Sequence, residues 1–196
     1  LDSFPFGEAN SYLYLFTRDL GVIGASARSV RHLKSKLRYG LQDFCLSTVS
    51  LVRGKHEWKI TSALPNKNFY QQFSQKVVIR DVESEHNTEK FLVCAHALSL
   101  IKKLVTGEEK NEDLFDLLQS GFDFLEENAL SREEVSFFEC ILMLRIVSNL
   151  GYLTSDQDLK IFAESAEWSK DLINKMARHK KKAIFEINQS IKESQL

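Results

Sequence analysis

The strongest constraint on how this chain folds is a change of hydrophobic period near residue 88. Before it, apolar residues recur at every second position; after it, at every third or fourth. "NSYLYLFT" (10–17) sets Tyr12, Tyr14 and Phe16 on one face and Leu13 and Leu15 on the other. Asp19-Leu20-Gly21 is a turn, and "GVIGASAR" follows as a strand of small and β-branched residues. "DFCLSTVSLV" alternates again, "RGKHE" supplies a turn, and "WKITSAL" pairs back as a hairpin partner. Short strands and tight turns predict a small β-barrel over residues 1–68. "LDSFPFGEAN" reads as the tail of a strand entering a turn, and an initial Leu1 leads us to expect that the natural chain begins earlier.

After a linker placed at 69–87, a helical domain is expected over 88–196, so the class is α+β. "NTEKFLVCAHALSLIKKLVTG" carries Phe91, Cys94, Leu98, Ile101 and Val105 at helical spacing, with Asn87 or Thr88 as its cap and Gly107 as its end. "NEDLFDLLQSGFDFLEEN" opens with Asn111 and acids that suit the helix dipole. "SREEVSFFECILMLRIVSNLG" begins with a capping box, Ser131 and Glu134, and is apolar nearly all round, as a central helix would be. Residues 156–165 and 167–193 are further helical candidates.

The formal charge of −1 over 196 residues hides a division. Residues 22–59 contain eight Lys or Arg against Asp43 and Glu57, whereas residues 107–139 hold eleven acids against Lys110 and Arg132. Cys45, Cys94 and Cys140 are dispersed and flanked by apolar residues, which suits free thiols in a reducing cytoplasm. The five histidines lack metal-ligand spacing, and no phosphate-cradling glycine loop or nucleophile elbow occurs, so neither an enzyme nor a cofactor is expected. No apolar run approaches the ~20 residues of a membrane span.

The densest positive charge lies in "ASARSVRHLKSKLRYGLQDF" (25–44), where Arg28, Arg31, Lys34, Lys36 and Arg38 follow one another with no acid between Asp19 and Asp43. In an extended loop, cations at every second or third position could grip a rod of phosphates, a contact blind to sequence. Tyr12, Tyr14, Tyr39 and Phe44 are near in sequence, and aromatics on a sheet face can stack unpaired bases. A solvated loop with core aromatics behind it is the alternative. Arg53 and Lys55, at a hairpin turn, are secondary candidates. A second basic cluster, Lys175, Arg178, Lys180, Lys181 and Lys182, reads as a solvated helix end or an auxiliary contact.

The first half also resembles the amino-terminal domain of the RecO family of bacterial recombination mediators. The shared pattern is Gly7-Glu8, a strand ending in Phe16-Thr17, the Gly21 turn, Ala27-Arg28, the run Lys34 to Arg38, Leu41-Gln42 with Phe44, and Arg53-Gly54. Leu114 to Leu118 and the Arg145 helix running into Gly151-Tyr152 extend the likeness to the family's helical domain. The resemblance implies an OB-fold barrel that binds single- and double-stranded DNA and anneals complementary strands. It also implies partnership with RecR and with the single-stranded DNA-binding protein, so that RecA loads on covered strands at the nucleoid. An OB-fold RNA-binding module and a protein-interaction scaffold stay open beside it. Many family members place a four-cysteine zinc site after that Gly-Tyr; "GYLTSDQDLKIFAESAEW" has no cysteine, so no zinc is expected.

Arg145 lies within the most apolar helix, where a cation needs a partner. It is expected either to pair with an acid of the acidic stretch or, with Lys102 and Lys103, to edge a pocket lined by Phe91, Leu98 and Phe138 for an acidic, aromatic-ended partner tail.

Overall fold

This computed structural model describes residues 1–75, 82–153 and 157–194, and the chain divides into two compact units. One unit comprises residues 1–75 with 105–111; the other comprises the described residues of 76–104 and 112–196. The chain thus returns to the first unit for seven residues between two helices of the second.

The first unit is a sheet of β1 (Asp2–Phe6), β2 (Asn10–Thr17), β3 (Gly21–Ala27), β4 (Cys45–Arg53) and β5 (Trp58–Asn68). The spatial order is β1-β2-β3-β5-β4. β3 and β5 are parallel, and the other neighbours are antiparallel. This OB-like arrangement is not the closed barrel expected from the sequence, because no ladder joins β1 to β4 among the described residues. A barrel closes only when its two edge strands pair with each other, and here β1 and β4 stand at opposite edges of the sheet.

Alternation decides which face is buried. Leu13 of β2, Ala25 and Ala27 of β3, and Ile60 and Ala63 of β5 form the core with Val30, Ile60 and Ala63 being brought to one face by the extra residue Thr61 at the Ser50/Leu51 irregularity. Small side chains on β3 let the layers approach closely. Irregularities at Leu46/Ser47 and Ser50/Leu51 twist the β4–β5 pair, and Pro65, which cannot donate to a ladder, lies opposite Ser47 beside the first of them. The expected linker opens with helix α1 (Phe69–Gln75), whose Phe69 and Phe73 are buried.

The second unit contains α2 (Val82–Leu104), α3 (Glu112–Glu127), α4 (Arg132–Asn149), α5 (Gln157–Glu164), α6 (Lys170–Lys175) and α7 (Lys180–Glu193), with one 3₁₀ turn, Met176–Arg178, before α7. α4 is central, touching α2, α3, α5, α6 and α7, and is buried without interruption from Cys140 to Val147. Each large apolar side chain enclosed there stabilises by ~1.5–3 kcal/mol. Its capping box is present: Ser131 Oγ accepts from the Glu134 amide, and the Glu134 carboxylate accepts from the Ser131 amide. Burial raises the thiol pKa of Cys94, and that of Cys140 to about 11, so both behave as small hydrophobes.

Two helix boundaries differ from expectation. α2 starts at Val82, so Asn87 is a buried residue within the helix and not its cap; no Pro or Gly interrupts residues 82–104. α2 ends at Leu104, and Gly107 instead accepts a hydrogen bond from the Val22 amide of the first unit's sheet. The helix expected over 167–193 breaks at Met176–His179, where Met176 is buried and the His179 ring packs 5.4 Å from that of Phe162.

Arg145 is 2% exposed and has no acidic partner among the described residues, contrary to the expected ion pair. Its Nε donates to the Phe162 carbonyl and its Nη2 to the Glu167 carbonyl, both at 2.9 Å. The guanidinium lies 3.9 Å from the Trp168 ring centroid, and burial lowers its pKa to about 10. Trp168 in turn packs at a tilt against Phe138, 4.6 Å between ring centroids, and donates to Ser120 Oγ. The planar fork of arginine lets Nε and Nη2 donate to two carbonyls at once, while the buried Nη1 has no hydrogen-bond partner among the described residues.

Candidate nucleic-acid interface

The connection from β3 to β4, residues 28–44, carries the dense basic run. It is not extended. Successive turns close it: His32 donates to the Ser29 carbonyl, Ser35 to His32, Arg38 to Ser35 and Leu41 to Leu37, each through the backbone amide. Val30 is buried in the sheet core, and Leu37 and Leu41 pack against it. The loop therefore has an apolar underside that anchors it and a polar outer side. The reason lies in its own spacing, since Val30, Leu37 and Leu41 interrupt the cations at intervals a folded loop can turn inward.

Both ends are pinned. Ser29 has φ 55° and Phe44 φ 58°, conformations that cost energy without a glycine. At the first, the Ser29 amide donates to Asn10 Oδ1 at 2.9 Å and the Arg31 amide to the Ala9 carbonyl at 3.0 Å. At the second, the Phe44 carbonyl accepts from the Phe69 amide. Near the end of the loop, the Gly40 carbonyl accepts from Ser47 Oγ at 2.6 Å. A Cβ on Gly40 would stand 2.6 Å from the Ala63 carbonyl oxygen, so only glycine lets the loop lie this close to β5.

On that frame Arg28, Arg31, Lys34, Lys36 and Arg38 are all exposed, and none forms an ion pair among the described residues. Tyr39 and Leu33, in the same loop, are exposed as well. Lys55 is exposed in the β4–β5 turn. Arg53 differs: its Nη1 donates to both carboxylate oxygens of Glu108, at 2.7 and 2.9 Å, and its guanidinium lies 4.7 Å from the Trp58 ring centroid. Trp58 Nε1 donates to the same carboxylate. The Arg53 hydrogen bond, aided by that of Trp58, holds the Glu108 carboxyl below the usual glutamate range. A phosphate would have to displace Glu108 to reach Arg53. Nothing in the local sequence pairs residues 53 and 108; the returning segment does.

The outer face of β1–β3 is only half legible in the sequence. Tyr12 and Tyr14 stand on it as alternation requires, but so do Phe4 and Phe6 of β1, and Phe4, Phe6 and Tyr14 are exposed. The period-2 pattern of "SFPF" is the signal that could have found them. Phe44 is half-buried at the end of the loop. The pKa of Tyr12 is raised by burial first, then by Tyr14 and Glu57.

Lys102 and Lys103 are exposed in the last turn of α2, whereas Arg145, Phe138 and Trp168 are interior to the helical unit. In the second basic cluster Lys175 pairs with Asp171, Lys182 with Asp158, and Lys180 donates to Ser136 Oγ.

Comparison with known proteins gives a consistent result for both halves. Residues 1–69 match the family described as Recombination protein O N terminal, and residues 85–155 match Recombination protein O C terminal. A DNA repair protein RecO of Heliobacterium modesticaldum is 30% identical over 152 residues, covering 78% of this chain and 49% of that protein. One of Dehalococcoides mccartyi is 33% identical over 137 residues, covering 70% and 49%. One of Alkaliphilus metalliredigens is 27% identical over 139 residues, covering 70% and 52%. The chain spans about half the length of the curated relatives it matches.

Proposed function

The chain belongs to the RecO family, and on that premise we propose that it acts in DNA repair by binding DNA through the β3–β4 loop. The observation that carries the reading is the pinned loop with five exposed cations, each without an acidic partner among the described residues. Pinning spares the ordering cost that a floppy basic tail meets on binding. Arg28, Arg31, Lys34, Lys36 and Arg38 meet phosphates, with Lys55 beside them and Arg53 available only when Glu108 yields. Such a contact is indifferent to sequence and serves single and double strands alike, so complementary strands held on it can anneal.

The finer assignments rest on the family. The protein assists loading of RecA on strands covered by the single-stranded DNA-binding protein, together with RecR, in the cytoplasm at the nucleoid and without catalysis of its own. Lys102 and Lys103 are the exposed cations that an acidic partner tail would meet on the helical unit, and Arg145 supports that unit from within. Residues 1–68 serve as the DNA-binding domain and 88–196 as the helical one.

Strand annealing tests the reading. Complementary oligonucleotides, bare or covered by the single-stranded DNA-binding protein, should anneal faster with the protein at low salt. No acceleration and no shift of either oligonucleotide would overturn DNA binding. Acceleration on bare strands alone would remove the partner contact.

A further inference from the structure

The basic loop explains attraction to any polyanion, but a second feature of the same unit distinguishes one kind. The outer face of β1–β3, opposite the core, is aromatic. Phe4 is in register with Tyr12, which is in register with Ser26, which in turn pairs with Lys59 of β5. Tyr14 stands edge-on to both neighbours: its ring centroid lies 6.3 Å from Phe4 at 89° and 5.6 Å from Tyr12 at 77°. Gly24, in register with Tyr14, makes the arrangement feasible, because a Cβ there would collide with the Tyr12 hydroxyl. The Tyr12 ring therefore lies along β3, and Tyr14 and Phe4 rise beside it.

This patch adjoins the basic loop. Asn10 and Ala9, at the β1–β2 turn, receive the Ser29 and Arg31 amides. Asn10 is in register with Phe6, so the aromatic face ends where the cations begin. Phe4, Phe6 and Tyr14 are 52%, 43% and 41% exposed, an unusual outlay of apolar ring surface to water. Lys59 is in register with Ser26 across from Tyr12, and Glu57 is an acid whose charge acts on Tyr12. Aromatic rings in water beside unpaired cations fit one ligand chemistry: a chain of phosphates whose bases are not already stacked in a duplex.

We infer that Phe4, Phe6, Tyr12 and Tyr14 form a stacking platform for unpaired bases of a single nucleic-acid strand whose phosphates run onto Arg28, Arg31 and the loop beyond. The inference rests on the proposed DNA binding and deepens it. The loop supplies salt-dependent affinity for any strand; the platform adds affinity that only an unpaired strand receives. A paired strand keeps its bases stacked on one another and gains nothing from the rings.

The test uses the full chain, an oligo-thymidylate and a blunt duplex of equal length. Phe4→Leu with Tyr14→Leu keeps apolar bulk on the sheet while removing both π-faces; Phe4→Ala with Tyr14→Ala is the harsher second variant. Thermal melts identify any variant that fails to fold, and the leucine pair is then decisive. The expected result is a ~30-fold or greater loss of affinity for the single strand, from at least two stacked bases. Duplex affinity and the salt slope should not change. Equal losses on both ligands, or none, would overturn the platform while leaving the loop's DNA binding in place. Failure of the wild-type chain to bind either ligand at low salt would overturn both. Retained duplex binding with no measurable single-strand binding in the wild type would overturn the platform alone.

Discussion

The sheet unit gathers unpartnered cations in one loop, whereas the helical unit pairs many of its own. In the sheet unit, the five cations of the β3–β4 loop stand in water without partners among the described residues. In the helical unit many cations are partnered: Arg132 pairs with Glu89, Lys175 with Asp171 and Lys182 with Asp158, while Lys90 and Lys170 donate to the Asn128 and Ala129 carbonyls. Lys103, Arg178 and Lys181 stand exposed there, in α2, the 3₁₀ turn and α7 respectively. Arg145 is the extreme, enclosed between two carbonyls and an indole. Charge density alone does not mark a binding surface. What marks it is charge that the fold leaves unneutralised on a backbone held in place by hydrogen bonds at both ends. Arg53 shows the boundary between the two cases, since it shares the sheet unit with the loop yet is held by Glu108.

The largest effect should come from the loop. Replacing Arg28, Arg31, Lys34, Lys36 and Arg38 together by alanine should flatten the logarithmic salt dependence of duplex binding by ~4–5 units, at ~0.9 per phosphate contact. Folding stability should hardly change, because exposed sites without partners contribute little each. A salt titration followed by anisotropy reads the first and a urea melt the second. A lost fold with an unchanged slope would invert the comparison.

Arg145 should behave in the opposite sense. Arg145→Met keeps the volume but strands the Phe162 and Glu167 carbonyls and removes the cation over Trp168. We expect a loss of ~2–4 kcal/mol in a denaturant melt, with duplex affinity intact in the folded fraction. Undiminished stability would show that the guanidinium contributes nothing net to the core.

A smaller effect sharpens the helical side. The backbone hydrogen bond from Ser131 holds the Glu134 pKa below its ordinary value, and removing the cap hydroxyl by Ser131→Ala should cost ~1 kcal/mol at neutral pH. Because the folded pKa is depressed, the contribution of the Glu134 carboxylate is complete above the ordinary glutamate range. It is lost as pH falls through the lowered folded value. Glu134→Gln should therefore differ from wild type in urea melts at pH 7 and converge on it under strongly acidic conditions. A constant difference would assign the effect to geometry and not to charge.

Much of this architecture is legible in the amino-acid sequence. The change of period near residue 88 follows from side-chain spacing alone, because alternation suits a strand and three-four spacing a helix wherever they occur. The capping box of α4 and the buried faces of β2 and α4 are local patterns, and the fold has them where the spacing puts them. The basic run is visible as composition. Its shape is not: Val30, Leu37 and Leu41 fold the loop onto a core built partly from Ile60 and Ala63 of β5, which are distant in the chain. Tertiary structure alone decided that the sheet stays open, that the chain returns at 105–111 to place Glu108 on Arg53, and that Arg145 meets carbonyls and an indole in place of an acid. Each depends on which distant backbone atoms come within hydrogen-bonding reach. Periodicity tells which way a side chain faces, but only the packed fold tells what it faces.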